Sequence, residues 1–223
     1  MGKKLVITID GPAGAGKSTA GKALASRLSY IYLGTGDLYR AVAYTMANKG
    51  ISTDNEARLS NLLRETDITL KNVSDHLRVF VNNEDITDKI MTERIGLLAS
   101  KASAIPLVRS KLLSIQREAG EEGGIIAEGR DMGTVVFPDA DLKFFLDASA
   151  GERARRRYSE LAMKGLNSNY QEVERDLLIR DKQDRERKIA SLQTPEDAVV
   201  IDSTNMTVYE VVERMAIIAS HMS

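Results

Sequence analysis

The sequence predicts an α/β fold: a parallel, doubly wound sheet of about five strands flanked by helices. Three observations carry that expectation. Short apolar, β-branched runs recur at Leu5 to Ile9, Ile31 to Leu33, Ile125 to Ala127, Leu142 to Leu146 and Ala198 to Ile201. They are apolar almost throughout, as strands covered on both faces must be. Segments with helical periodicity separate them, so each strand can cross over to the next. The third observation is a departure: Ile68-Thr69-Leu70 and Leu77 to Val81 alternate like half-buried antiparallel strands, and Asn82-Asn83-Glu84-Asp85 after them reads as a turn. That change of texture predicts an antiparallel insert over about Thr66 to Ser103, with core segments at 1–65 and 104–223.

Taken in order, the first strand ends at Asp10 and runs into Gly11-Pro12-Ala13-Gly14-Ala15-Gly16-Lys17-Ser18-Thr19. This fits G-x-x-x-x-G-K-[ST], the phosphate-binding loop. Glycines let the backbone curl so that successive N–H groups face phosphate oxygens, and the helix N-terminus adds favourable potential. A helix must follow, and Ala20, Ala23, Leu24 and Leu28 share one face over Thr19 to Leu28. The motif therefore lies between strand and helix, as it requires. It predicts a nucleoside-triphosphate site, with Lys17 on the β- and γ-phosphates and the Ser18 hydroxyl on Mg²⁺. A helix is expected from Asp37 to Asn48, another capped by Asp54 through Arg64, and one beginning at Pro106, where a missing N–H costs nothing. Glu128-Gly129-Arg130-Asp131 follows a strand at the edge where parallel sheets bind ligands. Ser149 to Glu152 and Thr207 to Glu210 read as capping boxes. The first opens a helix carrying Arg153, Arg155, Arg156 and Arg157; after Gly165 and a polar loop, Tyr170 begins another through about Lys188.

Composition narrows the function further. At 223 residues the chain can bury a core without staples, and with no cysteine it has no disulfide or thiolate–metal framework. Met1 to Asp10 lacks the pattern of a secretory leader, and no apolar run reaches the roughly 18 residues of a membrane span. The net charge of −1 argues against nucleic-acid binding. A cytoplasmic, monomeric protein with no membrane partner is expected. Positive charge is local, and neither of the two histidines sits in a motif, so both are expected in solvated or packing roles. The pattern N-K-x-D of guanine-reading GTPases fails, because Gly50-Ile51 follows Asn48-Lys49. A phosphate acceptor, in contrast, needs no general base, since its second pKa is about 6. It needs cations that hold two polyanions in line. Arginines at element ends suit that task.

With these residues in view the chain resembles bacterial cytidylate kinase. The blocks that carry the likeness are Gly11 to Thr19, Tyr32 to Arg40, Gly129-Arg130-Asp131-Met132-Gly133-Thr134-Val135-Val136-Phe137-Pro138, Glu152 to Tyr158, and Arg180-Asp181 with Asp184 and Arg187. The resemblance implies a P-loop NTP hydrolase-like core, a monophosphate-binding insert at 66–103 and a mobile lid at about 153–170. It implies MgATP as donor and CMP or dCMP as acceptor, with UMP poorer. Arg40, Arg130 and Arg187 would hold the acceptor phosphate; Thr35, Ser100, Arg109 and Asp131 would surround the cytosine; Arg180 and Asp184 would hold the ribose. Arg153, Arg156 and Arg157 would lie on the lid helix, one or two of them closing over the transferring phosphoryl group; Lys17, Arg130, Arg156, Arg157 and Arg187 would be the catalytic cations, and Arg155 a bystander. Gly34, Asp37, Glu128 and Ser191 depart from the family pattern of Asp, Ala, Asp and Pro. Of these, Asp37 adds negative charge near an anionic substrate, and Glu128 keeps the charge on a longer arm.

Overall fold

The computed structural model describes residues 4–73 and 76–222, without the side chain of His76. The leader argument at Met1–Lys3 and the role expected of the His76 side chain lie outside the described residues. In chain order the elements are β1 (Val6–Asp10), α1 (Lys17–Leu28), β2 (Ile31–Gly34), α2 (Gly36–Asn48) and α3 (Glu56–Glu65). Then come β3 (Ile68–Val73), β4 (His76–Val81), β5 (Glu84–Asp85), α4 (Glu93–Ala102) and α5 (Pro106–Glu118). After β6 (Ile125–Glu128) a π-helical turn spans Met132–Val136, followed by β7 (Leu142–Asp147), α6 (Ala150–Met163), α7 (Tyr170–Glu186), β8 (Val199–Asp202) and α8 (Val208–Ser220).

The expected α/β architecture is present, with a five-stranded sheet in the order β2-β6-β1-β7-β8 and a separate antiparallel sheet, β3-β4-β5. Two compact units divide the chain: 1–30 with 123–223, and 31–122. In the first, β1 pairs in parallel with β6 and β7, placing Ile9 opposite both Glu128 and Phe144. This register aligns the carboxyl ends of the strands, and Asp10 and Glu128 emerge together there. Ile7, Ile9, Ile125 and Phe144 are fully buried, which is why these strands read as unbroken apolar runs. Helix α1 buries Ala20, Gly21, Leu24 and Ala25; Ala23 and Leu28, assigned to that face from spacing, are half-buried.

In the second unit the antiparallel strands share one core with helices on either side of them in sequence. Ile68 and Val79 pack with Met46, Leu59, Leu62 and Leu112. The compact unit thus runs from 31 to 122, whereas the change of texture pointed to 66–103. The cause is that β3 and β4 share their core with α2, α3 and α5, which lie outside that segment. Asn82 and Asn83 take left-handed conformations, φ 49° and 67°, and make the turn between β4 and β5.

Two helix starts differ from expectation. Asn55, not Asp54, caps α3 by accepting from the Arg58 N–H at 3.1 Å, while Asp54 turns to Ser52. Ser149 accepts from the Glu152 N–H at 3.3 Å, but the Glu152 carboxylate is drawn away by Arg155 and Arg156. The arginine cluster therefore leaves half a capping box at α6, whereas the box at α8 is complete. His221 is exposed at the C-cap of α8.

Phe144 fills the centre of the parallel sheet. Phe144→Ala is expected to lower stability by about 3–5 kcal/mol, read from the urea midpoint of the ligand-free protein.

Candidate active site

The first unit builds its site where β1 leaves the sheet. Gly11 has φ 147°, and a Cβ there would overlap the Leu146 carbonyl oxygen of β7. Only glycine lets the loop cross that close to a strand. Gly16, φ 90°, precedes α1 and offers no side-chain cap, so the first N–H groups of the helix are available to an anion.

Lys17 opens α1 and is 5% exposed. Its Nζ donates to the Pro12 carbonyl at 2.7 Å and lies 3.7 Å from Glu128 Oε1. Burial, and then the Arg130 charge, push the Lys17 pKa down to about 7; Glu128, Asp10 and Asp184 oppose them. Ser18 Oγ donates to Glu128 Oε2 at 2.9 Å, so Glu128 joins lysine and hydroxyl. Asp10 sits under this group with no exposed surface. Its carboxylate accepts the N–H groups of Met132 and Gly133 at 2.8 and 2.7 Å, fixing the π-helical turn against β1. Burial raises the Asp10 pKa to about 6, against those two donors.

A second group stands beyond β6. Arg130 Nε donates to Asp184 Oδ2 at 2.8 Å. Arg187 reaches Asp131 Oδ1 at 3.5 Å and Asp184 Oδ1 at 3.9 Å, and its Nε donates to the Ala190 carbonyl. Arg130, Asp131, Asp184 and Arg187 are thus brought together. A seven-residue spacing from Arg180 to Arg187 would keep both on the face of Asp184 in a continuous helix, but Arg187 leaves the helix with ψ 140° as its C-cap. It meets Asp184 from the cap instead. Arg180 is half-buried on α7.

The arginines of α6 divide into distinct roles. Arg153 is 5% exposed and donates to the Ala148 and Ala13 carbonyls at 2.9 and 3.0 Å. It pairs with Asp181 of α7 at 2.5 Å. Arg156 donates to the Ser203 carbonyl at 2.6 Å, to Ser203 Oγ at 3.0 Å and to the Ala15 carbonyl at 3.3 Å. Arg155 is exposed and, with Arg156, holds the Glu152 carboxyl down to about 2. Arg157 is partly exposed and pairs with Glu160 at 2.8 Å.

In the unit 31–122, Thr35 is buried and makes no side-chain cap to α2. Arg40 donates to the Ile90 and Thr92 carbonyls at 3.0 and 3.1 Å. It crosses Gly96, where a Cβ would lie 2.9 Å from its Nη2. Arg109 is buried, donates to the Ser103 carbonyl at 3.2 Å and lies 5.6 Å from the Tyr39 ring centroid. Ser100 is half-buried on α4. Sequence reasoning missed Asp10, Asp181 and Ser203 as parts of the site. Asp10 offered a signal, a carboxylate closing a buried strand; Ser203 offered none.

A family model described as cytidylate kinase matches residues 7–221. The cytidylate kinase of Geobacter sp. (strain M21) is 51% identical over 211 residues, covering 95% of this chain and 91% of that protein. That of Bacillus subtilis (strain 168) is 43% identical over 215 residues, covering 96% of each. Among solved structures, an uncharacterised protein from Eubacterium ventriosum superposes with a TM-score of 0.52 at 11% identity, covering 98% of both chains, a likeness of fold alone.

The buried lysine gives the ligand-free protein a pH signature. The Lys17 pKa falls from 10.5 unfolded to about 7 folded, so the unfolded chain holds the extra proton between those values. The resulting penalty is full below about pH 7 and fades as pH rises toward 10.5. Lys17→Met is therefore expected to stabilise the ligand-free protein at pH 6.5, with an advantage that shrinks by pH 9.5, both read by urea denaturation.

Proposed function

The chain belongs to the cytidylate kinase family, a family of phosphotransferases, and from that premise we propose that it transfers the γ-phosphoryl group of ATP to CMP or dCMP. The observation that carries this reading is electrostatic: Arg130 lies close enough to Lys17 to depress its pKa. A lysine suited to the donor and an arginine suited to the acceptor thus share one neighbourhood.

The donor triphosphate lies in the loop 11–19. Inward N–H groups hold its oxygens, and Lys17 is returned to the ammonium form as negative charge arrives. Ser18 and Glu128 present hard oxygen donors side by side, a set that fits Mg²⁺ held partly through water and phosphate. When bound, that ion neutralises charge on the β- and γ-oxygens. The acceptor is already a dianion, so no residue needs to remove a proton. Arg130 and Arg187 turn from Asp184 and Asp131 to the acceptor phosphate, and with Lys17 they spread the charge of the transferring group. Arg157 is held by a surface pair with Glu160, worth little, and is released to the phosphoryl group as the lid at 153–170 closes. Arg156 acts from the same helix and steadies the loop at Ala15.

Arg180 and Asp184 take the ribose. Asp131 accepts from the exocyclic amine of cytosine, as does Thr35, while Arg109 donates to the base and Ser100 lies at its rim. Arg40 is a further ligand of the acceptor phosphate, and 66–103 is the monophosphate-binding insert. UMP replaces the amine with a carbonyl and strands a buried acceptor, a cost of about 1–3 kcal/mol. We assign the protein to the cytoplasm as a monomer without nucleic-acid or membrane partners. Among the described residues no helix is long and apolar enough to cross a membrane.

A coupled ADP-release assay across CMP, dCMP, UMP, AMP, GMP, shikimate and gluconate tests the reading. CMP and dCMP are expected to be fastest; turnover of AMP with none of CMP overturns it. ATP binding without turnover of any acceptor would mark a nucleotide sensor. Arg130→Ala and Arg187→Ala are each expected to cut kcat by about a hundredfold or more with little change in ATP affinity. Equal loss of ATP affinity in both would move them to the donor. Gly96→Ala should raise the KM for CMP about tenfold by displacing Arg40, leave that for ATP unchanged, and favour helix α4.

A further inference from the structure

Ala13 is the point where the donor loop meets the two helices that follow β7. Its carbonyl accepts from Arg153 Nη1 at 3.0 Å, and its N–H faces Asp181 Oδ1 at 3.4 Å. Both backbone groups of one loop residue are therefore taken by a single ion pair, whose side chains are 6% and 4% exposed. Ala13 also packs in the small apolar cluster of α6 and α7, with Ala154, Leu161, Val173 and Leu177. Its N–H points toward Asp181, so the pair fixes the loop from the side of α6 and α7.

The same helix carries the acceptor group. Asp184 follows Asp181 by three residues, about 4.5 Å along the axis, less than one turn of a rigid element. Arg187 caps that helix. Any shift of α7 when an acceptor exchanges with the Asp184 and Asp131 pairs is passed through Asp181 to Ala13. A buried charged pair is a stiff link, because pulling its partners apart leaves each charge dry and unpaired.

We propose that Arg153 and Asp181 are a positioning pair that couples acceptor binding at one turn of α7 to the shape of the donor loop at Ala13. This rests on the assignment of donor and acceptor above. By linkage the coupling is mutual: each nucleotide tightens the other by the same factor.

The test measures CMP affinity by calorimetry with and without a saturating non-hydrolysable ATP analogue, using the full chain. Wild type is expected to bind CMP about fivefold tighter or more with the analogue present, the low end of ordinary coupling. In Asp181→Asn the factor should fall to within about twofold of unity, while Arg155→Ala, an exposed control, keeps the wild-type factor. Arg153→Lys, which keeps charge but loses the fork, is read in parallel and serves if Asp181→Asn does not fold. Melting temperatures are recorded for each variant. Asp181→Asn or Arg153→Lys keeping the full factor, whatever its melting temperature, overturns the proposal, as does a wild type with no coupling. If CMP fails to bind wild type at all, the acceptor assignment falls instead.

Discussion

A lysine ammonium kept almost dry at the exit of a parallel strand is the constraint on which the site depends. Lys17 has a carbonyl within reach at 2.7 Å and a carboxylate at 3.7 Å, yet burial and the neighbouring Arg130 still bring its pKa to about 7. In water the same group would stay fully charged and hold phosphates weakly, since charge pairs in high dielectric are worth little. Dryness makes the lysine effective toward a polyanion and expensive without one. Proteins commonly bear such strain at sites that must act. Asp10, Glu128 and the π-helical turn are arranged around that expense. Asp10 fixes the turn through two backbone N–H groups, and Glu128 ties lysine to hydroxyl.

The run of arginines on α6 shows how residues adjacent in sequence reach different ends. A helix turns about 100° per residue, so neighbours cannot face one site. Arg153 points into the protein and clamps the glycine-rich loop at Ala13. Arg156, nearly one turn on, braces Ala15 and Ser203. Arg155 points to solvent and, with Arg156, holds the Glu152 carboxyl. Arg157 is the one whose partner, Glu160, is itself surface-exposed. Charge in a row is thus divided between buried framework and surface by helical phase alone.

Much of this was legible in the sequence, and the exceptions have physical causes. The strands were legible because a strand buried on both faces has no room for polar residues. The donor loop was legible because curled backbone needs glycine at fixed places, and Gly11 proves intolerant of any Cβ. Arg130, Asp131, Asp184 and Arg187 were named through the family resemblance, and they do converge. Compactness was less legible. Alternation in β3 and β4 reports that one face is covered, but not by which helices, and α2, α3 and α5 supply that cover. The Arg153–Asp181 pair was hidden for a related reason. Partners 28 residues apart on different helices leave no mark of spacing. Asn55 was missed in favour of Asp54 because both side chains can cap and only backbone geometry chooses.

The cations of the acceptor group already have partners. Arg130 has Asp184, and Arg187 has Asp131 and Asp184. In the proposed reaction a polyanion binds here by exchange, replacing carboxylates that hold the guanidinium groups in place beforehand. Exchange has two consequences. The arginines do not have to be ordered when substrate arrives, so the entropy of fixing long side chains is spent in folding and not in binding. The displaced carboxylates must also find something to accept, and an unpaired buried carboxylate is costly. On the proposed assignment, a ligand that brings only phosphate draws Arg187 and Arg130 from Asp131 and Asp184 and gives those carboxylates nothing in return. One that also brings an amine and ribose hydroxyls gives them donors in exchange. In that reading, selectivity for a nucleotide over a bare phosphate belongs to the anions, while the cations supply the attraction.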